Sequence, residues 1–383
     1  MDVIAILQEL AKGRPPPVGE VPGPLLDVLA SLEARRGRVS TLSSIERVLT
    51  TVRHKQPDRV PVTPILNAGA RHIAGVSFPE YSTSPEKAAD VFCAGLDFVG
   101  GDIAVILLDL SVEAADFGQE IVYPEDSTAR PNYLNPKIRS VDDYAKVRPV
   151  SVFDGGRMHR FVRLCGIMAD RCGWRKLVSG FVFAPLGVLS MMRGAENLFK
   201  DCLTHPREVM RACEAVTETL VEFVELQCDA GVGGIAIDTL YASRSALPKD
   251  VWERIEGPFA REIARAIRKK GRMVGIHNCG HAPYFDAQCR SMDPLLMSYA
   301  HVPDDCADFR EMKRRYGHMT FIGHVPTPLL VSGTPHEVME ECRRQIEMLG
   351  RDGGYILAPG CEYPPNISIV NAIAMVRAAE EYS

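Results

Sequence analysis

In the stretch MVGIHNCGHAP, His277 and Cys279 stand two residues apart, directly after a short apolar run. If that run is a β-strand, residues i and i+2 point to the same side of the sheet, so imidazole and thiol reach toward one point. The pair reads as two ligands of one metal ion, or as a core cysteine beside a hydrogen-bonded histidine. A third candidate, Cys361, stands in LAPGCEYPPN, just past another apolar run. One nitrogen and two sulfurs suit Zn2+ with its fourth position left for water or substrate, the arrangement of catalytic rather than structural sites.

Bringing Cys361 to that pair requires a fold that gathers distant strand ends. From residue 43 onward, short apolar runs alternate with helical stretches, which predicts a parallel sheet. The expected strands are 59–65, 102–110, 176–183, 233–240, 272–279, 295–300, 319–325 and 354–360. Helix starts between them are marked chemically. Thr334, Pro335 and Glu337 form a capping-box opening, and similar openings are expected at Thr204 and Ser84. No glycine-rich phosphate turn follows the first strand, so the pattern favours a closed (β/α)8 TIM barrel over 43–383 rather than an open doubly wound sheet. Residues 111–175 exceed a minimal unit and are expected as insertions. In such a barrel, chemistry sits at the carboxyl ends of the strands. His277 and Cys279 end the fifth run and Cys361 follows the eighth, so all three face one mouth.

Residues 1–42 combine DVIAILQELAKG, the proline-rich RPPPVGEVPGP and LLDVLASLEARRG. They are expected to form an N-terminal helical extension, either a cap packed on the body or an arm for docking or homodimer formation.

Composition removes several function classes. With 383 residues and 46% apolar content the chain can bury one large core. A formal charge of −5, with no basic aromatic-interleaved stripe, argues against nucleic acid as a partner. No apolar run approaches the roughly 20 residues of a membrane span, and the first residues lack a signal-peptide pattern, so a cytoplasmic protein is expected. The eleven cysteines show no pairing rhythm, which suggests reduced thiols.

Five segments carry a family resemblance: QPDRVPV (56–62), GGIAID (233–238), IHNCG (276–280), SGTPHEVMEECRRQIEML (332–349) and GGYILAPGCEYPPN (353–366). They resemble the uroporphyrinogen decarboxylase superfamily, and within it the zinc-dependent methyltransferase branch that works with corrinoid proteins. The resemblance covers about 43–383 and implies that His277, Cys279 and Cys361 bind zinc. It also implies a cobalamin supplied by a partner corrinoid protein, since no D-x-H-x-x-G motif is present. The decarboxylase branch fits less well. Its members hold their substrate's carboxylates with a pair of arginines in an early glycine-rich segment, where NAGARHIAGVSFPEY (67–81) offers only Arg71.

Zinc in such a site turns a thiol substrate into a thiolate, or polarises the oxygen of a methyl ether. HNCGHAPYF, YAHVPDDCADFREMK and CEYPPN look closer to O-demethylase methyltransferases, so a methoxylated aromatic is the expected substrate and a coenzyme M-type thiol the alternative. Asp238 closes the fourth strand, where it orients substrate, adds a zinc ligand or caps a helix. Glu362, beside Cys361, is a candidate acid for the leaving oxygen or a rim carboxylate. His281 is a candidate support for the ligands. Tyr241, His324 and Tyr363 are candidate substrate contacts, with Phe183 a further pocket residue, and each has packing as its alternative. Three functions remain in view: a corrinoid-linked zinc methyltransferase, a metal-free decarboxylase with clustered arginines at the mouth, and a zinc-stabilised scaffold with four closed protein ligands.

Overall fold

The structure is a computed structural model and describes residues 41–383; the expected helical extension therefore lies, apart from its last two residues, outside the described part. The sheet strands are β1 (Ile103–Val105), β4 (Leu177–Phe183), β5 (Gly234–Asp238), β6 (Met273–Asn278), β7 (Leu296–Tyr299), β8 (Thr320–Val325) and β9 (Tyr355–Pro359). They pair in the order β1-β4-β5-β6-β7-β8-β9, and every pair is parallel. Between β1 and β4 the chain makes a separate antiparallel hairpin, β2 (Ile121–Val122) with β3 (Arg130–Pro131). That hairpin and the helix α3 (Arg157–Cys172) occupy the expected insertion.

The strand expected at 59–65 closes the ring as a short stave rather than a full ladder. Val62 bridges Leu357 of β9 in parallel, and the Asp102 amide, just before β1, donates to the Val62 carbonyl at 2.7 Å. Pro61 and Pro64 flank this contact without backbone N–H groups, which limits the ladder to a single bridge. With it, eight staves alternate with helices as a (β/α)8 barrel.

Helix starts follow side-chain chemistry. Ser43 and Glu46 form a capping box on α1 (Ser44–Val52), Ser84 caps α2 (Pro85–Phe98), and Thr334 with Glu337 boxes α6 (Pro335–Leu349). The opening expected at Thr204 falls elsewhere. Thr204 ends the preceding helix and its hydroxyl bonds to the Lys200 carbonyl, while His205 occupies the cap of α5 (Pro206–Asp229). The residue before a proline avoids helical backbone, which places the break at His205. The remaining labelled helix, α4 (Pro185–Arg193), follows β4 directly and reaches over the carboxyl end of the barrel. Among the described residues no helix is long and apolar enough to cross a membrane.

Candidate metal centre

β6 delivers two side chains to the barrel's carboxyl end by the two-residue repeat of a strand, and the loop after β9 delivers the third. One ligand atom from each of His277, Cys279 and Cys361 lies within 4.8 Å of the others. Distance alone fits one small cation, and the N, S, S donor set suits a thiophilic one. The loop between the ligands is tied down from behind. Asn278 donates from Nδ2 to the carbonyls of Thr239 and Ala242, both at 3.0 Å, and accepts from the Gly280 amide at 2.9 Å. A Cβ at position 280 would sit 2.4 Å from Ser243 Oγ, so only glycine fits.

Ser298 completes the histidine's setting. Its hydroxyl lies 2.9 Å from His277 Nδ1, across the β6–β7 register that pairs these two residues. With Nδ1 engaged, the other ring nitrogen is left for a ligand, and the ring orientation is fixed.

The electrostatics of the trio interlock. The Cys361 thiol is held well below its usual value by the hydrogen bond from Cys279, and further by His277, against the cost of burial. Cys279 is pushed up by the same contact and by burial. Burial would lower His277, yet contact with Cys361 and the Asp238 charge raise it to about 9. With the pKa lowered at Cys361 and raised at His277, the two groups favour opposite charges, which suits a donor set in which a cation replaces protons.

Two carboxyls stand beside the trio. Asp238, at the end of β5, is raised to about 6 by burial and accepts one hydrogen bond from the Leu240 amide at 2.9 Å. Glu362 is raised to about 8, mainly by burial, with Asn67 opposing and Cys361 adding to the shift. Its Oε1 and the Asn67 Nδ2 are both buried, and neither closes a hydrogen bond of ordinary geometry. A buried polar atom without a partner is uncommon enough to mark a place where a ligand supplies one.

All of this faces a cavity of about 210 Å3 whose wall is mainly apolar. Phe181, Phe183, Leu107 and Met191 line it with the trio, Asp238 and Glu362 at one side. Phe181 and Phe183 meet edge to face at 5.4 Å. Tyr241 also lines it, with its hydroxyl turned to Ser190 Oγ at 2.7 Å, so that the ring rather than the oxygen faces inward. Among the described residues that line it there is no lysine or arginine.

The other sequence candidates sit elsewhere. His324 lies outside the lining; its ring stacks on Phe309 with centroids 3.6 Å apart, and burial lowers it to about 4. Tyr363 is buried against Gly69 and donates its hydroxyl to the Ser368 carbonyl at 2.5 Å. His281, the candidate support for the ligands, stacks on His301 with ring centroids 4.0 Å apart. Ser298 and Asn67 were absent from the sequence candidates. The signal for Ser298 was a small polar residue inside the apolar run LLMSYA.

Comparisons with known proteins agree with this architecture. The family described as Uroporphyrinogen decarboxylase (URO-D) matches residues 43–382. The methylcobamide:CoM methyltransferase MtbA of Methanosarcina acetivorans is 22% identical over 341 residues, covering 88% of this chain and 97% of its own. MtaA of Methanosarcina barkeri, also a methylcobamide:CoM methyltransferase, is 22% identical over 342 residues, with the same coverage. A uroporphyrinogen decarboxylase of Anaeromyxobacter dehalogenans is 25% identical over 354 residues, covering 88% of this chain and 98% of its own. A solved methyltransferase from Methanosarcina mazei superposes with a TM-score of 0.75 at 20% identity, over 89% of this chain and 99% of that one, which bears out the barrel.

Proposed function

We propose, from the premise that the chain belongs to the uroporphyrinogen decarboxylase family, that it is a zinc-dependent methyltransferase. It moves a methyl group from a small methylated substrate, a methoxylated aromatic, onto the cob(I)alamin of a corrinoid protein. The observation that carries this reading is the convergence of His277, Cys279 and Cys361 on one point at an apolar cavity. The similarity to two methylcobamide:CoM methyltransferases supports the corrinoid.

The donor set fits zinc: two sulfurs, one of them with its thiol held low by Cys279 and His277, and an imidazole held by Ser298. Zinc bound there would supply Lewis acidity at an ether oxygen. The chain's own groups do the rest. Phe181, Phe183 and the Tyr241 ring hold an aromatic ring and keep water from it. A cob(I)alamin brought to the mouth would supply the electron pair for the new bond to the methyl carbon, while the pair of the broken carbon–oxygen bond stays on oxygen. Glu362, whose carboxyl burial raises and which stands beside Cys361 at the cavity, is the group placed to give a proton to that oxygen, releasing a phenol and methylcobalamin.

A second reading, methyl transfer from methylcobamide to a thiol such as coenzyme M, draws on the names of the relatives. Against it, coenzyme M carries a sulfonate, and the cavity wall offers no cation to hold one. The same feature counts against a metal-free decarboxylase acting on a carboxylate-rich substrate. Arg71, the one arginine of the early segment, is spent on Pro365, Asn366 and the face of Phe78.

The test is metal content of protein purified without chelator, followed by cob(I)alamin methylation with methoxylated benzoates and then with thiols. About one zinc per chain in the wild type, lost in Cys361→Ser, is expected, together with methylation by the aromatic ethers. A wild type that takes up no zinc on reconstitution overturns the reading.

A further inference from the structure

We infer that the β2–β3 hairpin is a docking lip for the corrinoid-bearing domain of a partner protein; this rests on the methyl-transfer reading above. The hairpin belongs to the connection that leaves β1 at the carboxyl end of the barrel, the end at which the three metal ligands converge. Two contacts anchor it over the mouth. Asn366, in the loop that carries Cys361, donates from Nδ2 to the Asp126 carbonyl at 2.8 Å. Tyr133 donates its hydroxyl to Met191 Sδ at 3.4 Å, and Met191 is itself part of the cavity wall.

The lip and the turn after it expose large apolar side chains among the charged Glu125, Asp126 and Arg130. Leu134 is 96% exposed and Tyr133 52%, with Val122 and Tyr123 also exposed on the same hairpin. Leu110, 44% exposed, is a further large apolar side chain at the cavity, among its lining residues. Large apolar side chains held in water beside a mouth mark a surface that another body covers, and aromatic residues are enriched in interface cores.

The size of the cavity identifies that body. At about 210 Å3 it falls below the roughly 300–1,000 Å3 that pockets for drug-sized ligands occupy, and a corrin macrocycle is larger than such a ligand. A small aromatic ether enters; the corrin does not. Cobalt therefore meets the methyl group from the mouth, with the corrin and its carrier outside, over the rim that Leu110, Tyr133 and Leu134 build. A second copy of this chain on the lip would instead block the approach.

The experiment compares two methyl acceptors, free cob(I)alamin and a panel of cobalamin-loaded D-x-H-x-x-G domains, with a methoxybenzoate that the wild type demethylates. The variants are Leu134→Asp and the milder Leu134→Ala; a side chain this exposed carries little of the fold. At least one domain is expected to be methylated faster than free cobalamin by the wild type. Leu134→Asp then lowers kcat/KM for that domain tenfold or more and Leu134→Ala by less, while both match the wild type within twofold on free cobalamin. Equal losses on both acceptors, no loss on either, or a panel in which no domain outruns free cobalamin each overturn the lip. So does a dimer that Leu134→Asp splits without slowing transfer to the domain, because the lip would then bind a second copy. A wild type inert toward free cob(I)alamin with every donor is the separate outcome that removes the methyl-transfer reading itself.

Discussion

At the amino end of the barrel Asp102 is fully buried and fully partnered; at the carboxyl end Asp238 is buried and Glu362 half-buried, and neither is fully partnered. Asp102 accepts from Arg47 at 2.7 Å, Arg59 at 2.8 Å, the Val62 amide at 2.9 Å and Ser44 Oγ at 2.8 Å. Burial opposes its charge, but the two guanidiniums prevail and its carboxyl sits below the usual range. Glu362 keeps an orphaned Oε1, Asp238 has one backbone partner, and burial raises both. A buried carboxylate ringed by donors stabilises one arrangement of the chain, whereas one left short of donors keeps a vacancy for a ligand. The same barrel thus holds a fully paired charge cluster at one rim and an incompletely paired one at the other, where barrels of this type place their chemistry.

Substitutions at the two ends should separate folding from function. Cys361→Ser is expected to cost the most in function: metal content drops from about one per chain toward zero. Methyl transfer then falls by more than the roughly hundredfold that loss of an outer partner brings, while the urea midpoint of the metal-free protein changes little. A metal-replete Cys361→Ser would break the contrast at its centre. Arg47→Ala acts at the other rim. Removing one member of a buried ion cluster should cost about 3–5 kcal/mol in denaturant unfolding, with zinc per folded chain unchanged; a normal unfolding midpoint would show that Arg59 alone satisfies Asp102.

Two smaller effects sharpen the picture. Ser298→Ala should weaken zinc binding by about tenfold, at the mild end for a group that orients a metal-bound histidine, without altering the melting temperature. Competition with a chromogenic chelator reads this directly, and unaltered affinity would deny Ser298 its orienting role. Asp58 gives the acid-side test of the amino end. Burial opposes its charge, but the hydrogen bond from Arg47 and the Leu42 amide hold it at about 2, below its ordinary value near 3.9. A depressed carboxyl stabilises the fold above the unfolded value, and that contribution is lost as pH falls from about 4 through about 2. Melting temperatures between pH 5 and pH 2 should therefore fall more steeply for the wild type than for Asp58→Asn, and parallel curves would remove Asp58 from the cluster's energetics.

The residues themselves determined much of this protein. His277 and Cys279 share a face because a strand repeats every two residues, and capping at Ser84 and Thr334 follows from side chains three residues from the amides they accept. Alternating apolar runs and helices were enough to announce eight staves and therefore a common mouth for Cys361. Tertiary structure decided what local spacing does not encode. Ser298 reaches His277 only through the register between β6 and β7, and Asn67 meets Glu362 only because the ring closes between Val62 and Leu357. His324 turns to Phe309 and Tyr363 to Gly69, since packing against distant helices and loops outweighs the face that chain position suggests. The hairpin that carries Leu134 was legible only as excess length, and its place over the mouth rests on contacts with Asn366 and Met191. Periodicity fixes which side of an element a residue occupies. Which neighbour stands on that side is settled by contacts between segments hundreds of residues apart.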